Sequence, residues 1–129
     1  MRVILLSIRP EHVRNIFAGK KRYEFRKRNC CRDVSKILIY CTSPVKLIVG
    51  EAEVSRVLCG SPELIWKMTA EASGISEEFF DSYYEGEDTA VAFELENVVR
   101  YEKGRDLSEC GIKSPPQSFA YVPDDRNRP

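Results

Sequence analysis

Gly19-Lys20-Lys21-Arg22-Tyr23-Glu24-Phe25-Arg26-Lys27-Arg28 sets six Lys or Arg into ten residues around a single carboxylate, Glu24. Guanidinium forks match the geometry of phosphate oxygens, and an excess of cations around one acid leaves positive potential for an anionic ligand. Read as a strand, the stretch alternates: Arg22, Glu24, Arg26 and Arg28 fall on one face, Tyr23, Phe25 and Lys27 on the other. One face is ionic and the other aromatic. The pattern points to a phosphate or nucleotide partner, although a solvated edge strand whose charges block edge-to-edge pairing has the same composition.

The other chemistry-bearing residue types narrow the choice. Five cysteines (Cys30, Cys31, Cys41, Cys59, Cys110) with no C-x-x-C pair, and one histidine, His12, argue against a disulfide framework and a structural zinc site. No metal and no cofactor are expected. The cysteines read as small buried hydrophobes, and His12 as a surface residue of a helix.

Charge is divided along the chain. Residues 1 to 50 carry 12 Lys or Arg against 3 Asp or Glu, and residues 51 to 129 carry 8 against 17, so a formal net charge of zero hides a basic and an acidic half. Such asymmetry suits local binding of nucleic acid or polyphosphate, unless the halves neutralise each other across a shared sheet. No apolar run approaches the ~20 residues needed to cross a bilayer, and the apolar start is too short for a signal peptide. A cytoplasmic protein without membrane contact is expected, with residues 1–122 as one domain and 123–129 as a polar tail.

The elements that must position the basic stretch follow from periodicity and punctuation. Val3 to Ile8 reads as a buried strand, and Pro10 opens a helix whose Val13, Ile16 and Phe17 share a face before Gly19 ends it. After the basic strand and a turn over 29–33 come strands at 36–41 and 47–58, where Gly50 signals a bulge or a close backbone approach. Ser61-Pro62-Glu63 and Ser76-Glu77-Glu78 each announce a helix, the first running to Gly74 and the second to about Gly86. Phe79, Phe80, Tyr83 and Tyr84 on the second are core residues rather than a base-stacking platform. Residues 89–101 alternate as a strand, Asp106-Leu107-Ser108 forms a capped turn, and Pro115-Pro116-Gln117-Ser118 is a proline-rigidified approach to a last strand, with two polar tips that could wall a cleft.

The series Leu5-Leu6-Ser7-Ile8-Arg9-Pro10, the spaced motif Gly19-x-Lys21-x-x-Glu24-x-Arg26, then Tyr40-Cys41-Thr42-Ser43-Pro44, Val49-Gly50-Glu51-Ala52-Glu53-Val54 and Pro115-Pro116-Gln117-Ser118-Phe119-Ala120-Tyr121-Val122 resembles the ASCH domain family of the PUA-like superfamily. The resemblance spans Ile4 to Val122. It implies an α+β fold: a small mixed β pseudo-barrel with a helix after the first strand and a two-helix insertion, and a cleft for RNA or a nucleotide-like ligand. Lys21, Glu24 and Arg26 would line that cleft, with Arg9 where the family commonly has Lys before Pro10.

The candidate ligand-binding set is Ser7, Arg9, Lys21, Glu24, Arg26, Arg28, Thr42, Ser43, Gln117 and Ser118. The expected function is RNA or nucleotide binding with a role in RNA metabolism or in regulating transcription or translation. The alternative is a hydrolase, either a ribonuclease or an amidohydrolase acting on a modified nucleoside, with Lys21 and Glu24 as catalytic residues. Amidohydrolase relatives pair the Lys with a Thr three residues on and a Glu on a later strand; here Glu24 stands in place of that Thr, with Glu51 or Glu53 for the later acid, and Glu24 should raise the Lys21 pKa. For a ribonuclease, Tyr23 would have to work beside Arg26, from which strand alternation separates it. A third class is a protein-binding adaptor that uses the acidic helices.

Overall fold

The computed structural model describes residues 2–28, 33–117 and 119–123; most of the expected turn over 29–33, Ser118 and the tail from 124 lie outside these. The described strands are β1 (Arg2–Ile8), β2 (Tyr23–Arg26), β3 (Val34–Cys41), β4 (Leu47–Gly60), β5 (Ala90–Arg105) and β6 (Phe119–Tyr121). The helices are α1 (Pro10–Phe17), α2 (Pro62–Thr69) and α3 (Glu77–Tyr83). The strands make one sheet in the order β2-β5-β4-β3-β1-β6, parallel between β1 and β3 and antiparallel elsewhere, curled into a half-barrel. This is the expected α+β pseudo-barrel, with a helix after the first strand and a helical pair between β4 and β5.

β1 is apolar almost throughout because both of its faces are covered. Ile4, Leu6 and Ile8 pack with Val13 and Ile16 of α1 and with Ile37 and Ile39, while Leu5 turns the other way onto Leu38, Tyr40 and Ile48. A third cluster joins Tyr23 and Phe25 to Ile65, Phe80 and Tyr84, and so seats α2 and α3 against β2. Phe80 is fully buried. An aromatic anchor of that kind contributes about 3–5 kcal/mol, enough to hold a seven-residue helix that would not persist alone.

Local rules set the helix ends. Pro10 occupies the first turn of α1, and Gly19 turns the chain at φ +78°. Ser61 Oγ accepts from the Leu64 amide and Ser76 Oγ from the Phe79 amide, as the Ser-initiated patterns require. Gly50 is a close approach: a Cβ there would overlap the Val99 carbonyl oxygen and come within 2.7 Å of Phe17 Cζ.

Two elements differ from expectation. β2 pairs with β5 over Tyr23–Arg26 alone, because the amides of Lys20 and Lys21 both donate to the Asn15 carbonyl at the end of α1 and the Arg22 amide donates to Ala72. The basic stretch is therefore part helix exit and part strand. The helix expected to reach Gly74 stops at Thr69 and tightens into a 3₁₀ turn at Ala70–Ala72, and Gly74 then reverses direction at φ +72°.

The basic and acidic halves meet in places, as Lys36 pairs with Glu51 at 2.9 Å and Arg28 with Glu87 at 3.6 Å. Glu94 on β5 ties three strands together. It accepts from Tyr23 Oη of β2 at 2.9 Å, and from Ser55 Oγ at 2.7 Å and Arg56 Nε at 3.0 Å on β4. The hydrogen bonds from Arg56 and then Ser55 hold its carboxyl down to about 2, against 4.5 ordinarily.

A carboxyl depressed in the folded state contributes stability that is present above its unfolded pKa and is lost as pH falls through the folded one. In urea unfolding, the advantage of the wild type over Glu94→Gln should hold above pH 4.5 and shrink steadily as pH falls toward about 2. An advantage that stays flat through that window would contradict the account of Glu94.

Candidate functional site

Lys21 has an extended aliphatic stem and an ammonium, yet its side chain is 3% exposed. The backbone places it there: its amide donates to the Asn15 carbonyl of α1, and Gly74 packs so closely that a Cβ at that glycine would lie 2.8 Å from Lys21 Cα. Its Nζ donates to the Ser73 carbonyl at 3.2 Å, lies 3.8 Å from Glu24 Oε1 and sits 4.7 Å from the centre of the Phe25 ring. Burial lowers the Lys21 pKa from its ordinary value; Glu24 opposes that shift and Arg26 adds to it. Glu24 raises the pKa as expected, but removal of the ammonium from water outweighs one neighbouring carboxylate.

Glu24 is the centre of the arrangement, with its side chain 8% exposed. Its second oxygen accepts from Arg26 Nη2 at 2.9 Å, and the same nitrogen donates to the Ser7 carbonyl at 3.0 Å. Arg26 therefore spans from β2 to β1, two strands that do not pair in the sheet. Ser7 Oγ donates in turn to the Pro116 carbonyl at 2.7 Å and fixes the proline-rich approach to β6 against β1. On the α3 side, the Tyr84 hydroxyl donates to the Arg26 carbonyl at 2.8 Å.

These groups line a cavity of about 310 Å³. Its polar side is Ser7, Arg9, His12, Lys21, Glu24 and Arg26, and its other side includes Phe25, Phe79 and Tyr83. The volume is at the lower end of small-ligand sites, roughly 300–1,000 Å³. Three cationic side chains face one carboxylate, so the enclosed space is net positive and favours an anion. A second cleft of about 630 Å³ adjoins it, sharing Ser7 and Arg9 and adding Thr42, Ser43, Lys46 and Gln117.

The structure thus brings Ser7, Arg9, Lys21, Glu24 and Arg26 to one cavity and Thr42, Ser43 and Gln117 to the cleft beside it. Arg28 is apart from both, exposed and paired with Glu87. Ser118 lies outside the described residues. Glu51 is engaged by Lys36 and Tyr101, and Glu53 accepts from Asn97, so neither lines the cavity. Tyr23, held by Glu94, lies away from the cavity, whereas Phe25, which strand alternation puts on the same face, reaches its wall. No group of three or more His, Cys, Asp or Glu that could hold a metal occurs among the described residues, and no helix there is long and apolar enough to cross a membrane.

Several lining residues, Phe25 of β2 among them, were not legible as such. His12, expected on the helix surface, lines the cavity edge-to-face with Phe79 at 5.3 Å. Phe79 and Tyr83, expected in the core, turn out toward the cavity, while Phe80 and Tyr84 are buried. The available signal was spacing: His12 follows Arg9 by three residues, on the same side of the first turn of α1. Burial and then Lys21 lower the His12 pKa. A self-contained salt-bridge network would leave its donors and acceptors paired. Here Arg26 Nε and His12 Nδ1 are the buried side-chain polar atoms without a hydrogen-bond partner among the described residues, and both belong to walls of this cavity.

Comparison with known proteins bears on the family and the fold. The family model described as a domain of unknown function (DUF365) matches residues 3–112. An ASCH domain-containing ribonuclease of Zymomonas mobilis is 34% identical over 122 residues, covering 92% of this chain and 82% of that protein. The large ribosomal subunit protein uL22 of Ureaplasma parvum is 33% identical over 120 residues; the match takes in 92% of this chain but 39% of the relative, so the chain spans about two fifths of its length. The crystal structure of ASCH from Zymomonas mobilis superposes with a TM-score of 0.86 at 28% identity, over 98% of this chain and 92% of that one.

Removing one partner from a buried ionic cluster leaves uncompensated charge, at about 3–5 kcal/mol. Glu24→Gln should lower the unfolding free energy by that order in urea titration at neutral pH. The double variant Glu24→Gln with Lys21→Met should recover part of the loss, because one stranded cation is gone. Strict additivity of the two single effects would count against a coupled cluster.

Proposed function

The chain belongs to the DUF365 family and is an ASCH domain protein, and we propose that it binds single-stranded RNA, one nucleotide of which enters the Lys21–Glu24–Arg26 cavity. The observation that carries this reading is the pairing, in a space of nucleoside size, of cationic side chains with an aromatic wall of Phe25, Phe79 and Tyr83. Unstacked bases of single strands are held by stacking and by contacts to their edges, while phosphates are held by Arg and Lys. Arg9 and Arg26 serve the phosphate, and Lys21 and Glu24 the base edge or ribose. Ser7, Thr42, Ser43 and Gln117 continue the track for a neighbouring nucleotide. Arg28 contributes long-range attraction from outside the cavity. Residues 1–122 act as one domain in the cytoplasm, in RNA metabolism or in regulating transcription or translation.

A second reading, cleavage of the bound RNA, is favoured by the name of the Zymomonas relative and by the lowered pKa of Lys21, which brings an amine closer to proton transfer. The amidohydrolase reading has less support, since Glu51 and Glu53 are engaged elsewhere and Glu24 is tied to Arg26.

Fluorescence anisotropy with a labelled RNA oligomer at stepped salt tests both. Lys21→Ala and Arg9→Ala should each weaken binding about tenfold or more, and Arg9→Ala should make the salt dependence shallower by about one unit of slope. RNA recovered intact supports a binding module, whereas shortened RNA, absent with Lys21→Ala, supports a ribonuclease. Affinity unchanged in both variants would overturn the cavity as the RNA site.

A further inference from the structure

His12 is a polar lining residue of the cavity that belongs neither to the ionic cluster nor to the spaced motif. It sits in the first turn of α1, two residues beyond Pro10, and lines the cavity together with Ser7 and Arg26. Its ring meets Phe79 in an edge-to-face contact, with the two planes at 73°. Its Nδ1 is buried and has no hydrogen-bond partner among the described residues. A buried imidazole nitrogen left unpaired is unfavourable, and its persistence beside an open cavity marks a position that a ligand completes.

We infer that His12 reads the bound nucleotide directly, its Nδ1 accepting a hydrogen bond from a donor on the ligand. This inference rests on the RNA reading above and adds to it the chemistry that the cavity selects. A nucleotide carries two kinds of donor that could reach such an acceptor, a ribose hydroxyl or an N–H of the base edge. The first would distinguish RNA from DNA, the second one base from another. The groups that bear on the imidazole are Lys21 and Arg9, which disfavour its protonation, and Glu24 and Glu11, which favour it. Burial adds to the first pair, so the ring is held toward the neutral form, the one that can accept.

The test measures the affinity of a mixed-sequence RNA octamer and of its 2′-deoxy counterpart for the full chain and for His12→Phe and His12→Asn. Phenylalanine keeps the ring and removes the acceptor, whereas the asparagine amide oxygen can stand where Nδ1 stood. His12→Phe should lose about tenfold on RNA, with His12→Asn losing clearly less. If the donor is a ribose hydroxyl, the loss vanishes on the 2′-deoxy oligomer; if it is a base edge, both oligomers lose alike. RNA bound by His12→Phe as tightly as by the wild type, while Arg9→Ala weakens it, would overturn the role of His12 and leave the cavity standing. Indifference of Arg9→Ala and Lys21→Ala as well would instead remove the RNA reading itself. The imidazole ¹⁵N resonance of wild-type Nδ1 gives a reading independent of variant folding: it should move on addition of the RNA octamer, and a resonance that does not move would refute the contact.

Discussion

One buried carboxylate holds the site together. Glu24 sits between Lys21 and Arg26, and without it two cations would be enclosed with no counter-charge. Buried ion pairs are weak sources of stability, because desolvation consumes most of the Coulombic gain. The arrangement is therefore better understood as a device for placing charge. Its two cations reach different pieces of backbone, Lys21 the Ser73 carbonyl of the helical insertion and Arg26 the Ser7 carbonyl of β1, while Glu24 joins them from the edge strand β2. The pseudo-barrel and its helices are fastened across their open seam by the same residues that line the cavity.

That economy explains several features of the surroundings. Gly74 has no side chain because Lys21 occupies the space, and the 3₁₀ turn before it brings Ala72 to the Arg22 amide. α3 is short but firmly anchored by Phe80, which leaves Phe79 and Tyr83 to face the cavity and the Tyr84 hydroxyl to reach the Arg26 carbonyl. The acidic helical pair thus supplies the aromatic half of a site whose charged half comes from the basic end of the chain.

Much of this was legible in the sequence wherever local rules govern. β1, the Pro10 start and Gly19 end of α1, the serine caps of α2 and α3, and the close approach at Gly50 each follow from one residue type in one context. Spacing put Glu24 and Arg26 on one face, and the family resemblance added Lys21 and named the fold. What escaped depends on distant partners. β2 is truncated by hydrogen bonds to Asn15 and Ala72, and its pairing with β5 joins residues some seventy positions apart, such as Tyr23 and Glu94. The pKa of Lys21 falls even though Glu24 raises it as expected, because burial is a property of the assembled cavity. His12 looked ordinary because a helix surface and a cavity wall differ only in what lies opposite, here Phe79 from an insertion that begins some fifty residues later.

Photo-cross-linking of the protein to a single-stranded RNA substituted with 4-thiouridine, with the attachment sites mapped by mass spectrometry, locates the RNA without altering any side chain. Cross-links concentrated on Phe25, Phe79 and Tyr83, and suppressed by excess unlabelled RNA, are the expected result. Cross-links confined to surfaces away from these residues, or none above a control without irradiation, would contradict the central claim that RNA enters the cavity organised by Glu24.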